Sequence, residues 1–101
     1  MKIRTADGGK YVLFWCPGCD EAHSVPVAGE KAWTFNGDKE SPTISPSLLV
    51  HGDQRGGVRC HLFLKSGNLE FCSDSGHTLA GKTVPLPEWP YGPGQYGGID
   101  Q

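Results

Sequence analysis

A pair of cysteines separated by Pro-Gly, Cys16 and Cys19, is the feature that most limits how this chain can fold. The pair directly follows residues 10–15, an apolar and aromatic run that is typical of a β-strand. Residues 22–27 can return beside it as a second strand. A turn with this cysteine spacing directs two thiolates toward one tetrahedral Zn²⁺. The sequence therefore predicts a β-hairpin with a metal-binding knuckle at its tip.

Two other interpretations of the cysteine pair are a thioredoxin-like redox motif and a pair of buried structural thiols. The redox motif needs a helix after the second cysteine, and residues 20–26, which end on proline, are a poor helix start. The first residues lack the apolar stretch of a signal peptide, so we expect the chain in the reducing cytoplasm of a bacterial host cell. Cysteines in that compartment serve as metal ligands more often than as disulfides.

The third and fourth metal ligands must come from elsewhere in the chain. Cys60 begins a second predicted hairpin and His77 follows its end, so both can lie at the same end of that hairpin. His23, close to the knuckle, is the main rival, and Cys72 is a further alternate. We predict a structural Zn²⁺ whose four coordination positions are filled by Cys16, Cys19, Cys60 and His77.

The clearest predicted element is the second antiparallel hairpin, built from residues 58–64 and 68–74. A two-residue turn at Ser66-Gly67 joins its strands and sets their register, with residue 62 opposite residue 71. Because side chains alternate across a strand, this hairpin has one mostly apolar face, directed at the core, and one mixed face.

The mixed face of this hairpin carries side chains of the kinds that act in catalysis. Cys60 and His61 are neighbours and therefore point to opposite faces, so we expect them to have different roles. On the mixed face, His61 lies opposite Cys72 and diagonal to Asp74. An imidazole beside a carboxylate is the combination of base and orienting group found in hydrolase triads.

A serine in a proline-rich segment can complete such a triad. Ser45 followed by Pro46 predicts a short helix with Ser45 as its N-cap, and a proline-interrupted edge strand is the alternative. Ser47 would then gain from the N–H groups at the helix N-terminus, which can stabilise an oxyanion. Serine, histidine and aspartate are common, and bracing of turns is the other interpretation of these residues. The predicted triad is Ser47, His61 and Asp74, with Ser45 and Cys72 as alternative nucleophiles.

Glycine and proline, 15 and 8 of 101 residues, have about twice their average share. This excess leaves little room for long helices. We predict an α+β, mostly β fold of small antiparallel hairpins around a structural zinc knuckle, with at most one or two short helices, over residues 1–87. Residues 88–101 are rich in proline, glycine and aromatic residues. We expect this tail either to lie on the domain or to be disordered.

Charge and hydropathy limit the class of partner. The formal net charge is −2, so no basic excess would drive binding to nucleic acid. No run approaches the roughly 20 apolar residues that a membrane-spanning helix needs. We therefore expect a protein substrate or a protein partner, with neither nucleic acid nor membrane involved, while the oligomeric state stays open.

Four ordered blocks of the sequence resemble a known family, over roughly residues 10–87. The blocks are Phe14-Trp15-Cys16-Pro17-Gly18-Cys19, Pro42-Thr43-Ile44-Ser45-Pro46-Ser47, Cys60-His61 with Phe63, and Asp74-Ser75-Gly76-His77. The resemblance is to small phage and bacterial zinc-binding proteins classed as a domain of unknown function. Some relatives lie in gene clusters for ubiquitin-like conjugation, where a papain-like, serine-dependent deconjugating role has been proposed. Cys72 and the C-terminal tail depart from the family pattern.

The resemblance implies Cys16 and Cys19 as metal ligands and supports Ser47, His61 and Asp74 as a triad. The first functional hypothesis is thus a small zinc-stapled hydrolase that cleaves peptide or isopeptide bonds, as a deubiquitinase does. The alternative is a non-catalytic zinc-binding protein-interaction module of phage or bacterial origin. Its interface anchors would be the aromatic residues Trp33, Trp89 and Tyr91.

Overall fold

The computed structural model describes residues 2–50, 59–92, 95–97 and 99–100. These residues form eight β-strands in two antiparallel sheets and no helix, which confirms the mostly β prediction. None of them forms a helix long and apolar enough to cross a membrane. The strands are β1 (Ile3–Ala6), β2 (Tyr11–Cys16), β3 (Glu21–Pro26), β4 (Thr34–Phe35), β5 (Ile44–Val50), β6 (Cys60–Lys65), β7 (Asn68–Phe71) and β8 (Thr83–Pro85).

The first sheet has three strands in the order β1-β2-β3, and its β2–β3 hairpin is the one predicted around the cysteine pair. Cys16 ends β2 and pairs with Glu21 at the start of β3. The turn between them closes with the Asp20 N–H donating to the Cys16 carbonyl at 2.8 Å. Strand β1 was not predicted, because four residues that include Arg4 show too weak an apolar pattern. Its buried Ile3 nevertheless pairs with Phe14.

The second sheet has five strands in chain order, β4-β5-β6-β7-β8. Leu62 pairs with Phe71 and Leu64 with Leu69, so the predicted register of the β6–β7 hairpin is confirmed. Ser66 and Gly67 both have positive φ, 48° and 78°, as a two-residue type I′ turn requires. Residue 58, which the sequence placed in this hairpin, lies outside the described residues.

The short helix predicted after Ser45 is wrong, since residues 44–50 form strand β5. β5 lies between β4 and β6, but β4 pairs with Ile44 and Ser45 and ends before Pro46, so the proline-interrupted edge strand describes residues 46–50 and not residues 44–45. A proline cannot donate to a ladder of hydrogen bonds, and sheets accept one at an edge or where pairing is irregular. The pairing of β5 with β6 shifts between Ile44 and Leu48, which brackets Pro46. The Ser45–Pro46 peptide bond is cis.

One apolar core joins the two sheets. Phe14 and Ile3 from the first sheet and Leu62, Leu64 and Leu69 from the second belong to the same buried cluster. Each such side chain contributes about 1.5–3 kcal/mol to folding when it leaves water. Because these leucines occupy alternate positions of β6 and β7, the side chains between them face outward.

The described part of the C-terminal tail lies on the first sheet through its aromatic residues. Trp89 is buried, and its ring meets Trp15 edge to face with centroids 6.3 Å apart. Tyr91 contacts the same tryptophan at 5.6 Å. Trp33, another suggested interface anchor, is half-buried against the core. Residues 93, 94, 98 and 101 of the predicted tail lie outside the described residues.

Candidate functional site

Four side chains with metal-binding atoms meet where the two sheets adjoin. Cys16 and Cys19 come from the β2–β3 hairpin, Cys60 begins β6, and His77 lies in the loop after β7. Their ligand atoms all lie within 4.8 Å of one another. The four residues predicted as ligands are therefore positioned to bind a metal ion.

The distances within this cluster fit tetrahedral coordination. The sulfurs of Cys16 and Cys60 are 3.9 Å apart, and His77 Nε2 is 3.4 Å from the Cys60 sulfur. A tetrahedral Zn²⁺ with bonds of about 2.3 Å to sulfur and about 2.0 Å to nitrogen would hold its ligand atoms about 3.5–3.8 Å apart. Cys16 and Cys60 have no exposed surface, so the cluster is closed to solvent on that side.

Gly18 gives the His77 ring its place in the cluster. A Cβ atom at position 18 would lie 2.6 Å from His77 Nε2 and 2.7 Å from Nδ1, which is far closer than packed atoms approach. On its other side the ring meets Phe71 edge to face, with centroids 4.7 Å apart. The glycine in the Cys-Pro-Gly-Cys motif thus provides space for an imidazole.

The cluster distributes its protons unequally. A hydrogen bond from Cys60 lowers the pKa of Cys16 to about 4, although burial opposes this shift. Burial, together with the nearby Cys16 charge, raises the pKa of Cys19 to about 12. The pKa of Cys60 is raised as well, chiefly because its thiol serves Cys16 as hydrogen-bond donor. Since metals bind thiolates, an ion entering this cluster must displace protons from Cys19 and Cys60.

The two alternate ligands lie outside this metal-binding group. His23 is buried at the side of Cys16, where its hydrogen bond and charge help to lower the pKa of that cysteine. His23 Nε2 has no hydrogen-bond partner among the described residues. Cys72 lies instead with His61 and Asp74, near the opposite face of β6.

A second constellation occupies the outer face of the five-stranded sheet. His61 Nε2 lies 3.2 Å from Ser47 Oγ. The other ring nitrogen, Nδ1, lies 3.1 and 3.3 Å from the two oxygens of Asp74. The structure thus brings together the three residues predicted as a triad, and the hydroxyl that contacts His61 belongs to Ser47 rather than Ser45.

The pairing of β5 with β6 explains how Ser47 reaches His61. Leu49 is the direct partner of His61, and Ser47, two positions earlier, lies on the same face of the sheet. Ser47 also follows the irregular stretch around Pro46, where the pairing changes. A strand therefore presents the serine, not the helix N-terminus that the sequence suggested.

Ser75 fastens the backbone of His61 to the loop that carries Asp74. The His61 N–H donates to Ser75 Oγ, and the Ser75 hydroxyl donates to the His61 carbonyl, both at 3.0 Å. Ser75 is only 8% exposed, so these hydrogen bonds are shielded from water. Sequence reasoning missed this residue, since nothing local marks a serine that binds backbone fourteen positions away.

Arg59 is a second residue that sequence reasoning missed. Its guanidinium lies 2.9 Å from an oxygen of Asp74, in an ion pair exposed on both sides. Desolvation alone would raise the pKa of Asp74, but the hydrogen bond and charge of His61 and the charge of Arg59 outweigh it and lower that pKa below its ordinary value. Asp74 is therefore ionised at neutral pH.

Two apolar side chains flank the histidine. Leu49 and Phe63 are among the few large apolar residues exposed in the described structure, at 38% and 37%. The Phe63 ring stacks beside His61 with centroids 6.4 Å apart. Ser47, His61 and Asp74 thus lie on an open face with apolar side chains on either side.

Comparison of the sequence with known families gives a match. Residues 1–72 match the family model described as bacterial ubiquitination-like system serine protease (BubE). The chain belongs to the BubE family. No curated protein matches the chain, and no solved structure does.

The BubE match agrees with the link to ubiquitin-like conjugation that the sequence resemblance implied, and its description names neither phage origin nor zinc. The matched region contains Ser47, His61 and the three clustered cysteines. It ends before Asp74 and His77, so the proximity of those two residues to their partners is an observation of the structure alone.

Proposed function

We propose that this chain is a serine hydrolase that cleaves peptide or isopeptide bonds next to a ubiquitin-like protein, in the cytoplasm of a bacterial cell. The observation that carries the proposal is the continuous contact from Ser47 through His61 to Asp74. The BubE description, a serine protease of a ubiquitination-like system, supports the bond type and the substrate class.

In this mechanism His61 is the general base and Asp74 orients it. Asp74 accepts the Nδ1–H of His61, which leaves Nε2 without a proton and facing the Ser47 hydroxyl. As Ser47 Oγ attacks the substrate carbonyl carbon, Nε2 takes the hydroxyl proton. The ionised Asp74 stabilises the imidazolium, which then gives this proton to the leaving amine. Water hydrolyses the acyl-enzyme by the same route in reverse.

The oxyanion needs donors other than the predicted helix end. Ser47 follows the shift in pairing between Ile44 and Leu48, and an irregular stretch of strand leaves backbone groups outside the regular ladder. We assign oxyanion stabilisation to backbone N–H groups at this position. The role is the one expected from the sequence, with a bulged strand in place of a helix.

The metal cluster has a structural role in this proposal. Three thiolates and one imidazole suit Zn²⁺, and four protein ligands leave no position for a catalytic water. When bound, the ion would supply a cross-link between the first sheet, through Cys16 and Cys19, and the second, through Cys60 and His77. No chemical step passes through it.

The test is covalent labelling by a serine-directed fluorophosphonate, followed by mass spectrometry of the modified peptide. We expect labelling of the wild type at Ser47 and loss of labelling in Ser47→Ala and His61→Ala. Ser45→Ala, two residues away on the same strand, is the matched control and should be labelled normally. Equal labelling of wild type and His61→Ala would contradict the proposal.

The substrate class is tested with a ubiquitin-like protein that carries an electrophile at its C-terminus. The wild type should form a covalent adduct through Ser47, and Ser47→Ala should not. Labelling by the fluorophosphonate without reaction with the ubiquitin-like probe would support the triad and contradict the substrate class.

A further inference from the structure

The side chains around His61 contain a second set of metal-binding atoms. His61, Cys72 and Asp74 each present one such atom, and the three atoms lie within 4.8 Å of one another. Cys72 follows β7 and its backbone N–H donates to the His61 carbonyl, which holds it opposite the histidine. The proposed mechanism gives Cys72 no task.

Two atoms of this set already lie about as far apart as two ligands of one metal ion. His61 Nδ1 and the Asp74 oxygens are 3.1 and 3.3 Å apart. A tetrahedral Zn²⁺ with bonds of about 2.0–2.2 Å to both atoms would hold them about 3.4 Å apart, so their separation need change little. The exposed Asp74 carboxylate would turn off the axis of the Nδ1–H bond to leave room for the ion. A thiol, an imidazole and a carboxylate form a donor set typical of zinc sites, and the exposed Asp74 leaves the fourth position open to water.

We infer that His61, Cys72 and Asp74 form a second, inhibitory Zn²⁺ site, which shares His61 and Asp74 with the triad. A metal ion on Nδ1 forces the single proton of the neutral imidazole onto Nε2. Nε2 is the atom that faces Ser47 Oγ, so it becomes a donor to the serine and can no longer accept the serine proton. The ion also occupies the carboxylate that orients the ring.

This site is distinct from the four-ligand cluster, although Cys60 and His61 are neighbours in sequence. Cys60 points into the core and has no exposed surface, whereas His61 lies on the outer face of β6 and is partly exposed. The buried cluster would therefore retain its ion during changes in free zinc. The exposed set, with three ligands, would bind more weakly and exchange with solution.

Arg59 opposes a cation at this position. Its guanidinium is 2.9 Å from Asp74, where it competes for the carboxylate and repels a second positive charge. Removal of this arginine should therefore tighten zinc binding. A gain in affinity is a useful test, because a misfolded variant does not produce one.

The experiment adds Zn²⁺ to protein that already holds one zinc per chain. We expect a second equivalent to bind, to protect Cys72 from alkylation by iodoacetamide and to suppress fluorophosphonate labelling of Ser47. In Cys72→Ala the affinity for this equivalent should fall at least about tenfold, by analogy with the loss of supporting groups at metal sites. Arg59→Ala should bind it more tightly. Ser73→Ala, the exposed neighbour of Cys72, should behave as the wild type.

The binding of zinc does not depend on the proposed function. The inhibition by zinc does rest on the proposed function. Suppression is measured relative to the zinc-free labelling of each variant. A second equivalent that binds Cys72→Ala as well as the wild type, or that is absent from the wild type, would overturn the inference. Protection of Cys72 in a protein that is never labelled at Ser47 would support the metal site and overturn the proposed hydrolase.

Discussion

At the scale of single residues, two neighbours in strand β6 belong to two separate sites. Cys60 points inward to the metal-binding cluster, and His61 points outward to Ser47 and Asp74. The alternation of side chains along a strand is enough to produce this division. It means that the metal cluster can anchor the start of β6, and with it His61, without contact between an ion in that cluster and the side chains of Ser47, His61 and Asp74.

The residue whose substitution tests the metal cluster most directly is Gly18. Gly18→Ala should push the His77 ring away, because a Cβ would lie 2.6 Å from Nε2. We expect metal affinity to fall by about tenfold or more, measured in competition with a chromophoric chelator. Gly97→Ala is the matched control, since a Cβ there meets nothing within 4 Å. Equal affinities in the two variants would show that His77 is not a ligand.

At the scale of secondary-structure elements, Ser75 joins strand β6 to the loop after β7. Ser75→Ala removes both hydrogen bonds to the His61 backbone and leaves a partly buried N–H without that partner. The free energy of unfolding should fall by about 1–3 kcal/mol in urea denaturation. Fluorophosphonate labelling should slow as well, because His61 and Asp74 lose their common support. Ser73→Ala, exposed on the same loop, should change neither; an equal loss there would rule out a specific role for Ser75.

The elements also show what a sequence can predict. The β6–β7 register was predicted because a two-residue turn at Ser66-Gly67 decides it locally, and with it the relation of His61 to residue 72. The conformation around Pro46 was not predicted. Its local pattern favours a helix cap, but the segment forms a strand because it pairs with β4 and β6, which are distant in sequence. Ser47 was therefore predicted near His61, but at a helix N-terminus rather than on the strand that the structure has.

At the scale of the whole molecule, Asp100 attaches the C-terminal tail to the first sheet. Its carboxylate accepts hydrogen bonds from the Gly8 and Gly9 N–H groups at 3.1 and 2.9 Å and from the Thr5 hydroxyl at 3.0 Å. The hydrogen bonds from Gly8 and Thr5 lower the pKa of Asp100 below its ordinary 3.8. Residues more than ninety positions apart are joined here.

The lowered pKa of Asp100 predicts a pH-dependent contribution to stability. A carboxyl whose pKa is lower in the folded state stabilises the fold above its unfolded pKa, and that contribution is lost as pH falls through the folded pKa. Asp100→Asn should therefore melt a few degrees below the wild type at neutral pH. The difference should shrink as pH falls below 3.8 and vanish below the folded pKa, where the carboxyl is protonated in both states. A difference that persists there would mean that the ionised carboxylate is not the source.

Removal of the metal should affect the whole molecule, because its proposed ligands come from both sheets. Cys16 and Cys19 belong to the β2–β3 hairpin, whereas Cys60 begins β6 and His77 lies in the loop that joins β7 to β8 of the second sheet. We expect purified protein to contain about one zinc per chain and chelation to lower the melting temperature strongly, because binding energy at structural zinc sites is folding energy. Circular dichroism before and after chelation, and after return of one equivalent of Zn²⁺, measures this. Cys16→Ser should be unstable or aggregate, whereas Cys72→Ser should retain the metal and its melting temperature. Melting that does not change after proven metal loss would mean that the metal does not cross-link the two sheets.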